Sequence, residues 1–225
     1  MPDMLRPFAV FLIAITIAAS AWAGGNDLIK KGRAAQKAGR NNAALEAYTQ
    51  ATQATDLTKA GRAYAFYRRG SVWGFLGENI KGINDFSKSI ELDPKNGSAH
   101  SLRGYLYGTV GKYDLAEKDH VAALKLAKYQ KWKDYAAWVL QHHADLWRRR
   151  GEFKKALDTT KRALQASDYD TVYFRRAWIY LDMGKKAAAK ADFVRFEREM
   201  KQQGTSYSRY WPDERSAIAR LRELK

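Results

Sequence analysis

The chain has no cysteine among its 225 residues. That excludes disulfides, thiolate metal sites and cysteine nucleophiles, and also the lipidated cysteine that a bacterial lipoprotein requires. Histidine is scarce: His100, His120, His142 and His143 are all there is. The adjacent pair, His142 and His143, points about 100° apart on a helix and cannot chelate one metal without help from elsewhere. The patterns G-x-S-x-G and H-E-x-x-H are missing, as is a phosphate-cradling glycine loop. No catalytic residue, metal site or cofactor is expected, and the chain reads as a non-enzyme.

Acidic residues are the minority, 24 Asp and Glu against 40 Lys and Arg, for a formal net charge of +16. Such an excess steers anionic partners toward a protein and weakens with salt. Nucleic acid, acidic polypeptides, phospholipid head groups and acidic envelope polymers all fit that description. The densest cluster, Arg148, Arg149 and Arg150 after Trp147, is the candidate basic patch. Cations there also suit the negative end of a helix, so a solvated helix terminus is the competing reading.

One apolar run stands out, Phe8 to Ala19, preceded by Arg6 and followed by Ala21-Trp22-Ala23 before Gly24-Gly25. Residues 1–23 read as a secretory signal with an A-x-A cleavage site, which predicts an exported, periplasmic or secreted protein. An uncleaved anchor is the alternative, but the run is shorter than the about 20 residues that span a bilayer. Asp3 is out of place in a positive head, and initiation at Met4 would remove it. No other segment is apolar enough to cross a membrane. Export argues against nucleic acid as the partner.

The stretch GINDFSKSIELDPKN, Gly82 to Asn96, places Ile83, Phe86 and Ile90 at three- and four-residue steps, with Leu92 two further on, the stripe of a half-buried helix, and stops at Asp93-Pro94. Its punctuation recurs. A glycine precedes a small residue by five positions at Gly39/Ala44, Gly77/Gly82, Gly111/Ala116, Gly151/Ala156 and Gly184/Ala189. Four residues after each small residue come Tyr48, Phe86, His120, Thr160 and Phe193, and three later Ala51, Ser89, Ala123, Ala163 and Phe196. Seven before each glycine lie Gly32, Gly70, Gly104, Ala144 and Ala177, and four before it Ala35, Trp73, Tyr107, Trp147 and Tyr180.

These residues resemble the tetratricopeptide repeat, a helix pair with a large–small–large pattern on the first helix and small–aromatic–small before a closing proline on the second. The family period is about 34 residues, and the glycine-to-glycine steps here are 38, 34, 40 and 33. The longer steps put extra residues around positions 56–62 and 129–135. Thr160, Phe196 and the lone Pro94 mark departures from the pattern. The resemblance implies an all-α fold, a right-handed α-solenoid of about five helix pairs over residues 24–200, with a concave surface lined by the first helices. Residues 201–210 read as a loop. Residues 212–225 read as a capping helix: Pro212 at its start, Asp213 and Glu214 in its first turn, and a stripe of Ile218, Leu221 and Leu224.

The resemblance also implies where a partner would sit. First-helix residues facing away from the second helices are Tyr64, Tyr67, Arg68, Ser71 and Phe75 in repeat two, Ser101 and Tyr105 in repeat three, Trp138, Gln141 and Asp145 in repeat four, and Phe174, Arg175 and Trp178 in repeat five. Aromatics beside arginine are common recognition residues, although several would serve equally as packing between repeats. The clamp that some relatives use for a C-terminal carboxylate is not supported, since the matching positions hold Ile29, Arg33, Tyr67 and Ser71. Asp85, Asp114 and Glu117 are expected on solvent-facing positions. Arg69, Arg103 and Arg176, each before the first small residue of its repeat, carry no implied function. Two functions follow: an envelope scaffold that binds a protein segment in its groove, or an electrostatic binder of anionic polymer or membrane surface.

Overall fold

The structure is a computed structural model that describes residues 24–129, 132, 134–168, 170–204 and 211–224. The expected signal, residues 1–23, and most of the expected loop after Lys201 lie outside the described residues.

Among the described residues there are eleven α-helices and no strand. They are α1 (Gly25–Lys37), α2 (Asn41–Gln53), α3 (Lys59–Phe75), α4 (Asn79–Leu92), α5 (Gly97–Thr109), α6 (Tyr113–Lys125), α7 (Tyr135–Arg149), α8 (Phe153–Ala166), α9 (Thr171–Asp182), α10 (Lys186–Gln202) and α11 (Pro212–Arg222). Each odd helix from α1 to α9 packs most closely against the even helix that follows it, and the five pairs stack in chain order. The odd helices also touch one another in sequence, so they form a continuous inner layer. The result is an all-α solenoid.

The glycine that divides each pair has a positive φ, between 71° and 82° at Gly39, Gly77, Gly111, Gly151 and Gly184. A side chain would be strained there, which explains why the punctuation is visible in the sequence. Within each pair the helices touch where bulk is absent. A Cβ placed on Gly32 would lie 2.5 Å from the Tyr48 ring, and one on Gly104 would lie 3.0 Å from the Ala116 carbonyl. Ala44, Ala116, Ala156 and Ala189 are fully buried.

The extra residues at the junctions have work to do. Thr58 caps α3 by accepting from the Gly61 N–H at 3.0 Å, and the Asp56 carboxylate accepts from the Gly25 N–H at 2.9 and 3.0 Å, placing an anion at the positive start of α1. Between α6 and α7 a short 3₁₀ turn, Ala127–Tyr129, takes up the slack.

Two expectations need correction. Asp85 is 6% exposed, not solvent-facing, and forms a bidentate pair with Arg69 at 2.7 Å for both bonds. Position 85 lies three residues after Gly82, on the face pressed to the partner helix. The same link recurs as Arg103–Asp119 and Arg176–Asp192, always sixteen residues apart. The arginines that seemed idle in the sequence therefore tie the first helix of a repeat to the second. Asp114 and Glu117 do face solvent. Second, Lys201 and Gln202 belong to α10, which closes at Gly204 with φ 61°.

Candidate functional site

The inner layer holds a cavity of about 730 Å³. Helix α5 contributes Leu102 and Tyr105; α7 contributes Trp138, Gln141 and His142; α9 contributes Thr171, Tyr173, Phe174 and Arg175. Asp134, Ser167, Asp168 and Asp170 line the wall where α7 and α9 begin. The C-terminal end of α10 supplies Arg195, Glu199 and Met200, with Gln203 beyond it, and the last side is made by Trp211 and Glu214.

Helix α11 caps the last repeat, as its stripe predicts: Ala217, Ile218 and Leu221 are buried against Phe174, Phe193 and Phe196, with Leu224 alongside. Its beginning goes further, back across the inner layer. The Trp211 indole meets the Tyr105 ring edge-on, centroids 4.7 Å apart. It also lies over Gly74 of α3, where a Cβ would come within 3.0 Å of the ring. Arg215 stacks over Phe75 at 5.2 Å. Glu214 fixes the turn by accepting from the Trp211 N–H at 3.0 Å, and Pro212 takes the first helical position.

An ionic network locks this start in place. The Tyr105 hydroxyl donates to both carboxylate oxygens of Asp213 at 2.9 Å, and Arg149 donates to the same carboxylate. Arg175 donates to Glu214 at 2.6 Å and lies 3.2 Å from Asp145. Asp145, 1% exposed, also accepts from Arg148 at 2.9 Å and Arg149 at 2.6 Å. Burial alone would raise the Asp145 carboxyl, but the Arg148, Arg149 and Arg175 guanidiniums outweigh it and hold the group well below the usual carboxylate range. Glu214 is pushed up, because its burial outweighs the single Arg175 charge. The Tyr105 hydroxyl is pushed well up, by burial first and then by Glu214 and Asp213.

The structure therefore sorts the sequence-predicted residues into groups. Tyr105, Trp138, Gln141, Phe174 and Arg175 come together on the cavity. Ser101 is buried one layer below, 3.1 Å from His142 Nδ1. Asp145 is the centre of the ionic network, and Trp178 is 5% exposed under the Arg148 guanidinium at 3.8 Å. The repeat-two residues lie apart from the cavity. Tyr64 and Tyr67 contact each other at 6.1 Å, Arg68 donates to Gln36 at 2.6 Å, Ser71 donates to the Tyr67 carbonyl, and Phe75 lies beneath Arg215.

The expected basic patch is not a free one. Arg148 bridges Asp145 and Asp182, Arg149 bridges Asp145 and Asp213, and Arg150, the most exposed, reaches Glu152 at 2.9 Å and Glu117 at 3.4 Å. These arginines face carboxylates of their own fold because α7 ends where α6, α9 and α11 converge on it. Sequence reasoning missed Trp211, Glu199 and the acidic lining as groove elements. Asp213 and Glu214 carried a signal, two carboxylates after a Trp-Pro, but it pointed only to a helix start.

Among the described residues no group of three or more metal-ligating side chains is gathered, and no helix is long and apolar enough to cross a membrane. His120, His142 and His143 are buried. Burial lowers His142 to about 3 and His143 to about 4, and lowers His120 well below its usual value, with His143 next to it reinforcing the shift.

The tetratricopeptide-repeat family model matches residues 170–196, which are α9 and the first part of α10. The fold of the described residues is that of tetratricopeptide-repeat solenoids. The match falls on the fifth repeat, although that repeat departs from the pattern at Phe196. Among solved structures, a tetratricopeptide repeat protein from Parabacteroides merdae is 22% identical, with a TM-score of 0.65 over 94% of this chain and 78% of that one. A thermophilic TPR protein of Thermus thermophilus is 17% identical, with a TM-score of 0.69 over 89% of this chain and all of that one. A chain of the APC/C hetero-tetramer Cut9–Hcn1 is 16% identical, with a TM-score of 0.65 over 88% of this chain and 36% of that one. No curated protein matches the sequence. These likenesses are likenesses of fold.

Proposed function

We propose that this solenoid is a non-catalytic scaffold of the bacterial envelope that binds a protein segment in its concave groove, at the cavity between α5, α7, α9 and α10. The cavity itself carries this reading. It is about 730 Å³, large enough for several side chains, and lined by rigid aromatics and polar groups from three successive first helices. The arginine triplet, the sequence's best argument for anionic polymer, is engaged in ion pairs instead. Location rests on the N-terminal reading, in which cleavage after Ala23 leaves Gly24 first.

The test captures partners from envelope extracts with the mature protein and with Gln203→Trp, which places an indole at the exposed rim of the cavity. The mature protein should retain a defined set of proteins that the variant loses while its circular dichroism stays helical. Identical capture by both would remove the groove from consideration. Mass spectrometry of the protein recovered from cells should find Gly24 at the N-terminus, and an intact Met1 or Met4 would return the anchor reading.

A further inference from the structure

We infer that the cavity accepts one basic side chain, a guanidinium or an ammonium, of the bound protein segment; this deepens the groove reading above and rests on it. The first observation is charge. In a chain of net charge +16, the cavity is lined by five carboxylates, Asp134, Asp168, Asp170, Glu199 and Glu214, and by two guanidiniums, Arg175 and Arg195. Both guanidiniums are already held. Arg175, 1% exposed, sits between Asp145 and Glu214, and Arg195 pairs with Asp168 at 2.9 Å above the Tyr173 ring. Arg175 Nε and Nη1 make no hydrogen bond, but the guanidinium is buried between two carboxylates, so an anion approaching it would meet Asp145 and Glu214.

The second observation is independent of charge and concerns what lacks a partner. Gln141 lines the cavity, is only 4% exposed, and its amide Oε1 accepts no hydrogen bond from the described residues. Glu199, half-buried in the lining, has no side-chain hydrogen bond or ion pair among the described residues. Both are acceptors, and buried acceptors are costly to leave unmade. A guanidinium brings five N–H donors and no acceptor, and an ammonium three. The remaining walls include the Trp138, Tyr173 and Trp211 rings, and aromatic faces attract cations. The positive exterior sets the rest of the partner: it disfavours a strongly basic segment, so the anchor belongs to a stretch that is otherwise neutral or acidic.

The probe is a random dodecapeptide library displayed on phage, selected on the mature protein. Selected peptides should share one Arg or Lys. Replacing that residue by norleucine in the synthetic peptide should weaken binding about tenfold, the value of one charged hydrogen bond. Glu199→Gln should weaken the parent peptide by a similar factor and leave the norleucine peptide unchanged, with an unaltered melting curve. Peptides that lack a basic position, or that anchor through an acidic one, while Gln203→Trp still abolishes their binding, would overturn this inference and leave the groove reading intact. Binding indifferent to Gln203→Trp, or no selected peptide at all, would overturn both.

Discussion

The ionic network beneath the C-terminal helix makes a quantitative prediction at Arg175. Its side chain is 1% exposed, 2.6 Å from Glu214 and 3.2 Å from Asp145. Arg175→Met keeps most of the stem volume and removes the charge. Asp145 would still have Arg148 and Arg149, but Glu214 would be left with the Trp211 N–H alone. Breaking a buried pair from one side typically costs about 3–5 kcal/mol, because a charge remains uncompensated. Removing the other side as well, in Arg175→Met with Glu214→Leu, should recover much of that loss, giving a coupling of roughly 1–3 kcal/mol. Proton linkage adds a sign. Without Arg175 the folded-state value of Glu214, already raised by burial, rises further. A group raised in the folded state contributes stability at low pH that is lost as pH increases, so the deficit should be smaller at pH 5 than at pH 7.5. The assay is urea denaturation followed by circular dichroism and tryptophan fluorescence together, since stacked repeats need not unfold in one step. A single-variant loss below about 1 kcal/mol, or a strictly additive double variant, would refute the reasoning.

The buried histidines predict acid sensitivity. His142 and His143 are lowered to about 3 and about 4, so the stability they contribute is complete above their unfolded value near 6.5 and falls as pH drops toward 4, by about 1.4 kcal/mol per pH unit for each group. His143→Phe, which replaces a ring with neither nitrogen bonded between His120 and Trp147, should flatten that decline between pH 6.5 and 5; an unchanged slope of melting temperature against pH would count against it. Ala116→Arg forces a long cation into the fully buried contact with α5 and should cost at least the roughly 1–3 kcal/mol of overpacking, plus desolvation. An unchanged melting curve for that variant would contradict the repeat register.

The elements that could be read from the sequence are those governed by local sterics. A positive φ at Gly39, Gly77, Gly111, Gly151 and Gly184 admits few residues other than glycine, and close helix contact admits only small ones, so both leave a periodic mark. The arginine–aspartate links left a mark too, a sixteen-residue spacing at three repeats, but charge alone places a carboxylate on the solvent side of an amphipathic helix. Asp85 shows the physical error: its position relative to Gly82 placed it on the inter-helix face whatever its polarity. The groove was only half legible. First-helix positions named Tyr105, Trp138, Gln141, Phe174 and Arg175 without revealing which were open to a ligand. The deciding contacts come from Trp211, Asp213 and Glu214, and the Tyr105–Asp213 bond joins residues 108 positions apart. No repeat period reports a contact made once.

That single contact also changes what the arginine triplet means. Viewed along the chain, three consecutive arginines are the strongest sign of a polyanion surface. In the fold they meet Asp145, Asp182, Asp213 and Glu152, and the carboxylates on α9 and α11 explain why two cations are needed at the end of α7. With Arg149 on Asp213 and Arg175 on Glu214, the start of α11 can bring two acidic residues into the inner layer without leaving them unneutralised, and Glu214 then adds to the acidic wall of the cavity. The excess positive charge and the groove are thus separate features of the molecule. The excess steers approach over the exterior, while the proposed recognition in the groove would depend on acceptors and aromatic faces that favour a cation. Reversal of the triplet to glutamate should accordingly undock α11 and destabilise the fold, and a stable, helical triple variant that merely lost polyanion affinity would restore the electrostatic reading.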